Sequence, residues 1–175
     1  EQTQKFAADL QATVSSFGLQ GADLVNNAQT NLNQLVGYLN TSAADRFLFS
    51  GTATQTAPVD INDPAWGGQI FVAPGPSVAD FNYYQGNDDI LNVESSDGFD
   101  VDYGITANDP AFELIFRAYD LIINNPGDQD TLEEALRLMQ QGEGESAVLA
   151  ASLSQRAQTL DRQINDNLED INIIE

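Results

Sequence analysis

The chain has 175 residues, and Lys+Arg 6 against Asp+Glu 27 gives a net charge of -21. Such a surface repels phosphate, which argues against DNA, RNA and anionic membranes as partners. With no His and no Cys, the chain lacks disulfides, thiol nucleophiles, the commonest zinc ligands and the usual general base near neutral pH.

Residues 1–17 read as helix, with Phe6, Leu10, Val14 and Phe17 at three- to four-residue spacing. Gly18 and Gly21 then punctuate the chain, since each Gly costs roughly 1 kcal/mol against Ala in a helix. A second helix is predicted over 22–41, with the stripe Leu24, Ala28, Leu32, Leu35 and Leu39. Its other positions are rich in Asn and Gln, modest helix formers that need tertiary packing. Residues 42–45 form a short polar link. Arg46-Phe47-Leu48-Phe49-Ser50 has the aromatic density of a strand.

A small-residue stretch ends at Pro58, and 60–68 is loop, because it contains Asp63-Pro64 and Gly67-Gly68. Trp66 within it reads as a cap over a local core in preference to a ligand platform. Strands are expected over 69–73, 80–84, 89–95 and 99–103. Pro74-Gly75-Pro76 turns the chain, and Ser96-Asp97-Gly98 suits a hairpin turn. The middle of the chain thus reads as a small antiparallel β unit with acidic outer faces.

Asp109-Pro110 opens the next helix, Asp109 as cap and Pro110 at the first helical position. Phe112, Ile115, Phe116, Tyr119, Ile122 and Ile123 give it a wide apolar face, and Asn125-Pro126-Gly127 stops it. Asp130 with Glu133 resembles a capping box for a helix carrying Leu132, Leu136 and Met139. Gly142 and Gly144 are expected to break that helix before a long final one over 146–175. The final helix carries Leu149, Leu153, Ala157, Leu160, Ile164, Leu168 and Ile171, a narrow stripe suited to coiled-coil pairing. It runs to the last residue without a Gly or Pro stop, so the sequence reads as a piece of a longer chain. This seam and its N-terminal counterpart are the expected organisers of the fold.

No Gly-rich phosphate loop and no GxSxG pattern is present. Carboxylate pairs such as Asp88-Asp89 and Asp100/Asp102 read as solvated faces, because acid–base catalysis needs a cleft and one raised pKa. Asp60-Ile61-Asn62-Asp63 and Asp128-Gln129-Asp130 resemble fragments of calcium loops but lack the Gly and the distal Glu. Asp128 and Asp130 are instead helix-start residues. No catalytic, cofactor-binding or metal-binding residue is therefore assigned, and no apolar run approaches membrane-spanning length.

The run Leu39-Asn40-Thr41-Ser42-Ala43-Ala44-Asp45-Arg46-Phe47-Leu48-Phe49-Ser50-Gly51-Thr52, continued by Thr56-Ala57-Pro58, resembles a segment of the bacterial flagellin and flagellar hook-associated protein family. There an N-terminal helical arm turns into a β element. Tyr84-Gln85-Gly86, Asp97-Gly98, the Val101 to Gly104 segment, Thr106-Ala107-Asn108-Asp109-Pro110-Ala111-Phe112 and Arg156-Ala157 are similar to further segments of that family.

The resemblance implies an α+β fold that turns back on itself. Its helical rod would be discontinuous, residues 1–45 with 105–175 as an antiparallel bundle, and 46–104 would be an inserted β-rich unit at the tip. It also implies a structural protein without catalysis, exported to the bacterial flagellum, that joins hook-associated subunits to the flagellin filament. The implied partners are copies of itself, a neighbouring hook-associated protein, flagellin and an export chaperone. A filament subunit is the alternative within the family. A surface carbohydrate-binding module using the β unit is the alternative outside it.

Overall fold

A computed structural model describes residues 22–68, 71–94, 100–102 and 104–174. The order is α1 (Ala22–Leu39), β1 (Ser42–Ala43), β2 (Arg46–Phe47), β3 (Asn92–Glu94), β4 (Asp100–Asp102), α2 (Pro110–Asn124) and α3 (Gln129–Ile174). The chain is thus mixed α+β.

The core is built around α2. Every residue from Ala111 to Ile122 is buried, including Glu113, Arg117 and Asp120. A helix apolar over so wide an arc cannot be satisfied by one neighbour. Accordingly α3 packs extensively against it, α1 packs on another side, and the loop segment 58–84 covers the rest. From α1 come Leu24, Ala28, Leu32, Leu35 and Leu39, the stripe expected from the sequence. From α3 come Ala135, Leu138 and Met139. Val59 and Tyr83 join the same cluster from the loop.

The helix signals at α2 act as expected. The Asp109 carboxylate accepts from Ala111 N, Pro110 opens the first turn, and Asn125 closes the last by donating its N–H to Leu121 O. At α3 the cap differs from the expected Asp130–Glu133 box. Asp128 accepts from Thr131 N at 2.9 Å and from the Thr131 hydroxyl. Those bonds hold its carboxyl below the usual carboxylate range.

Two expectations are corrected. First, Gly142 and Gly144 do not break the helix: α3 is continuous for 46 residues, roughly 70 Å at 1.5 Å per residue. Gly142 lies where α3 packs closely on α2. A Cβ there would stand 2.8 Å from Ile115 Cγ1 and 3.3 Å from Ala111 O. Its role is close packing, which tertiary contact rewards above helix propensity.

Second, among the described residues it is α2, not the C-terminal seam, that gathers the core; the expected N-terminal mate of that seam over 1–17 lies outside them. The principal partner of α1 is α2, and α3 is buried mainly through its first turns. Leu149, Leu153 and Leu160 are half-buried, and Ile164 is 56% exposed. The helix expected over 1–17 and its Gly18–Gly21 break lie outside the described residues.

The β content is sparser than expected. The polar link at 42–45 is β1 and the two-residue turn of a hairpin, with Ser42 opposite Phe47 and Ala43 opposite Arg46. Ala44 and Asp45 both take positive φ, at 49° and 59°, as a type I′ turn requires. The strands expected at 89–95 and 99–103 meet as β3 and β4 in the register Asn92–Asp102, Val93–Val101 and Glu94–Asp100. Their Ser96-Asp97-Gly98 turn lies outside the described residues. Over 80–84 there is no strand, only a single bridge from Tyr84 to Val59. Of the strand expected over 69–73, residues 71–73 are irregular and the first two lie outside the described residues.

Candidate functional site

Asn40, directly after α1, pairs its side-chain amide with the Val59 backbone in both directions. Nδ2 donates to Val59 O and Oδ1 accepts from Val59 N, each at 2.9 Å. The amide thus substitutes for a neighbouring strand. On its other side the same stretch meets the tyrosine segment: Asp60 N donates to Tyr83 O at 2.8 Å, and Gln85 N to Pro58 O at 2.9 Å.

A second lacing joins three separate loops. Asn87 N donates to Ser50 O at 3.1 Å, and Thr52 N to Asn87 Oδ1 at 2.8 Å. Asn87 Nδ2 donates to Thr52 Oγ1 at 2.7 Å. Ala107 N donates to Phe49 O at 2.8 Å, which brings the entry to α2 into the same knot. Asn108 reaches Asp88, and the Thr106 hydroxyl donates to Asn108.

Gly51 is required here. Its φ is +66°, and a Cβ would collide with Asn87 O and Asn87 Oδ1. At Gly86 a Cβ would collide with the Tyr84 hydroxyl and come within 2.7 Å of Ser50 O.

Two tyrosines anchor the knot. Tyr83 is fully buried and donates its hydroxyl to Ala107 O at 3.0 Å. Tyr84 donates to Asn87 O at 2.6 Å. Burial pushes the Tyr84 hydroxyl up to about 12, with the nearby Asp88 charge adding to it, and pushes Tyr83 further in the same direction. Both stay protonated donors. The Tyr83 ring stacks on Phe116 of α2 at 4.2 Å, and Trp66 stands edge-on to both rings at 6.2 and 6.0 Å. Each such aromatic pair is worth about 0.5–1.5 kcal/mol beyond its buried area. Trp66 therefore caps a core, as expected from the sequence.

Carboxylates fasten the loop onto the helices. Glu113 Oε1 accepts from Asp80 N at 2.9 Å, and Asp120 Oδ1 accepts from Gly68 N at 2.9 Å. Glu134 Oε1 accepts from both Ser77 N and Ser77 Oγ, at 2.9 and 2.7 Å. Arg117 bridges Glu113 and Ser77 O, and Arg137 pairs with Glu134 at 2.7 Å. The Arg137 hydrogen bonds, ahead of those from Ser77, hold the Glu134 carboxyl down to about 2. Burial pushes Glu113 up, against the donors from Asp80 and Arg117.

Sequence reasoning assigned Glu113, Asp120 and Glu134 no role. The signal available was position: 113, 117 and 120 are the polar sites of a helix otherwise apolar around its circumference.

The knot holds backbone against backbone. Most of its carboxylates and amides are occupied by N–H groups; Ser77 Oγ donates to Glu134, whose carboxyl is paired with Arg137 and held down to about 2, too weak a base to activate it. Among the described residues no three His, Cys, Asp or Glu side chains gather to hold a metal ion. Among them, too, no helix is long and apolar enough to cross a membrane. Of the segments that carried the family resemblance, 39–58, 84–86 and 106–112 are laced together. The Arg156 of the Arg-Ala pair donates to Gly104 O at 3.3 Å and ties α3 to the end of the β3–β4 unit.

No family model matches the chain, and no curated protein matches it by sequence. Solved structures do. A Vibrio parahaemolyticus protein described as a flagellar hook-associated protein superposes with a TM-score of 0.73 at 16% identity, over 98% of this chain and 78% of that one. Bacillus cereus FlgL superposes with a TM-score of 0.57 at 15% identity, over 95% of this chain and 77% of that one. Over nearly its whole length, the chain has the fold of the flagellar hook-associated proteins.

Proposed function

We propose that the protein is a structural component of the bacterial flagellum that joins hook-associated subunits to the flagellin filament. The observation that carries this reading is the likeness over 98% of the chain to a protein described as hook-associated. The knot supports it, because its hydrogen bonds fix separate segments of the chain against one another. In this reading the helical part, 1–45 with 105–175, packs beside neighbouring subunits. The inserted part, 46–104, is fastened onto it and faces outward.

The protein would be exported and extracellular, would do no catalysis and would need no cofactor. Its partners would be copies of itself, a neighbouring hook-associated protein, flagellin and an export chaperone. The carbohydrate-module alternative is weakened by Trp66, whose ring is engaged by Tyr83 and Phe116.

Gold-labelled antibody on flagellated cells of the source bacterium tests the proposal. The expected result is a single band of label at the joint between hook and filament. A deletion strain should shed flagellin into the medium and carry bare hooks. Label along the whole filament would make the protein a filament subunit, and flagella without label would overturn the flagellar reading.

A further inference from the structure

Of the five arginines, four are engaged. Arg117 and Arg137 pair with Glu113 and Glu134, Arg156 holds Gly104 O, and Arg162 turns back onto its own helix at Gln158 O. Arg46 alone has neither an ion pair nor a hydrogen bond through its side chain among the described residues, and it is exposed on β2. Unpaired, it stands on a chain of net charge -21. Leu48 lies two residues on and is 45% exposed. The ladder continues to it through Leu48 N–Thr41 O at 3.1 Å, so strand alternation places both side chains on one face.

The hairpin that presents them is held on its far side. Phe47 N donates to Thr54 O at 2.8 Å, and Gln55 Nε2 donates to Asp45 O at 3.3 Å. A backbone already fixed in this shape leaves only the two side chains to be ordered on docking.

We propose that the hairpin 41–48 is a docking knob, and that a second copy of this chain receives it on an acidic face. This deepens the flagellar reading and rests on it. The occupant follows from charge: a copy offers acid over most of its surface. It also offers a patch of matching chemistry, because Asp88, Asp89 and Ile90 are exposed in succession, with Ile90 at 37%. Knob and patch are different segments of the chain, so residue 46 of one copy would meet residues 88–90 of the other. Arg46 would supply steering and register, and Leu48 the desolvated contact.

The test places benzoylphenylalanine at Leu48 of the full-length protein in flagellated cells, with irradiation followed by mass analysis. The expected product is a covalent species of two copies of this protein, with the adduct on an acidic segment. In that background Arg46→Glu should lower its yield at least tenfold, while Arg46→Lys should retain it. Circular dichroism of the purified variants checks that both keep the parent helix content. An adduct only to flagellin or another protein overturns the contact, as does no adduct on cells whose flagella carry the gold label. Equal yields from both arginine variants would do so too. Absence of the label from flagella overturns the flagellar reading instead, so the two failures are distinguishable.

Discussion

Gly51 and Gly68 have nearly the same backbone conformation, φ of +66° and +68°, but different surroundings. A Cβ at Gly51 collides with Asn87, whereas at Gly68 it meets nothing within 4 Å. Gly68→Ala should therefore cost only the left-handed conformation, about 1–2 kcal/mol. Gly51→Ala should cost roughly 2–4 kcal/mol, because overpacking is added. Urea midpoints of the two variants measure the difference, and equal costs would mean that the knot yields. The carboxylates give a second residue-level outcome. Glu134 is held at about 2, from an ordinary 4.5. Its contribution is fully present above about pH 4.5 and is lost as the pH falls toward 2. Glu134→Gln should thus be less stable than the parent at pH 7, and the gap should narrow at pH 3. Glu113 has the opposite sign: its raised pKa means that the charged form is the one burial penalises. A gap for Glu134→Gln that is constant with pH would show that the ion pair with Arg137 adds nothing to folding.

At the scale of elements, the two glycines of α3 separate propensity from packing. Gly144 faces open space, so Gly144→Ala should stabilise by up to about 1 kcal/mol. Gly142 faces Ile115 and the Ala111 carbonyl, so Gly142→Val should push α2 and α3 apart and cost about 1–3 kcal/mol. Thermal melts followed by far-ultraviolet dichroism read both. The same pair explains what was legible in the sequence. The stripe of α1, the Asp109-Pro110 start and the Asn125 stop are local signals, and each is where the spacing put it. Gly142 is a local helix-breaking signal overruled by a neighbour that is distant in sequence. The loop over 60–90 was harder still. Its aromatics alternate enough to suggest strands, but several of its backbone N–H groups meet side chains instead: Glu113, Asp120 and Glu134. Which carboxylate meets which N–H depends on tertiary placement, and no periodicity encodes it. The knot was visible only as family-like motifs, without any indication that Ser50, Asn87 and Ala107 meet.

For the molecule as a whole, the unresolved tension is between a shared core and a repulsive surface. Trp66, Tyr83 and Phe116 pack the inserted segment and α2 into one cluster, so Trp66 fluorescence and helical dichroism should follow a single urea transition. Against that core stands a charge of -21, and among the described residues only two ion pairs offset it. Like charges at this density destabilise the compact state. The Debye length falls from about 30 Å at 0.01 M salt to about 10 Å at 0.1 M, so the repulsion is screened over that range and little changes beyond it. The melting temperature should therefore climb by several degrees between 10 and 200 mM NaCl on the order of that screening, then level off. Both ion pairs are i,i+3 or i,i+4 contacts with one or both partners buried, which salt weakens least, so they should not reverse the trend. Calcium separates general screening from a site: at matched ionic strength, CaCl2 should raise the melting temperature no further than NaCl does. A larger rise saturating at micromolar calcium would reveal a bound ion that the acidic side chains, read as fasteners and solvated faces, do not account for.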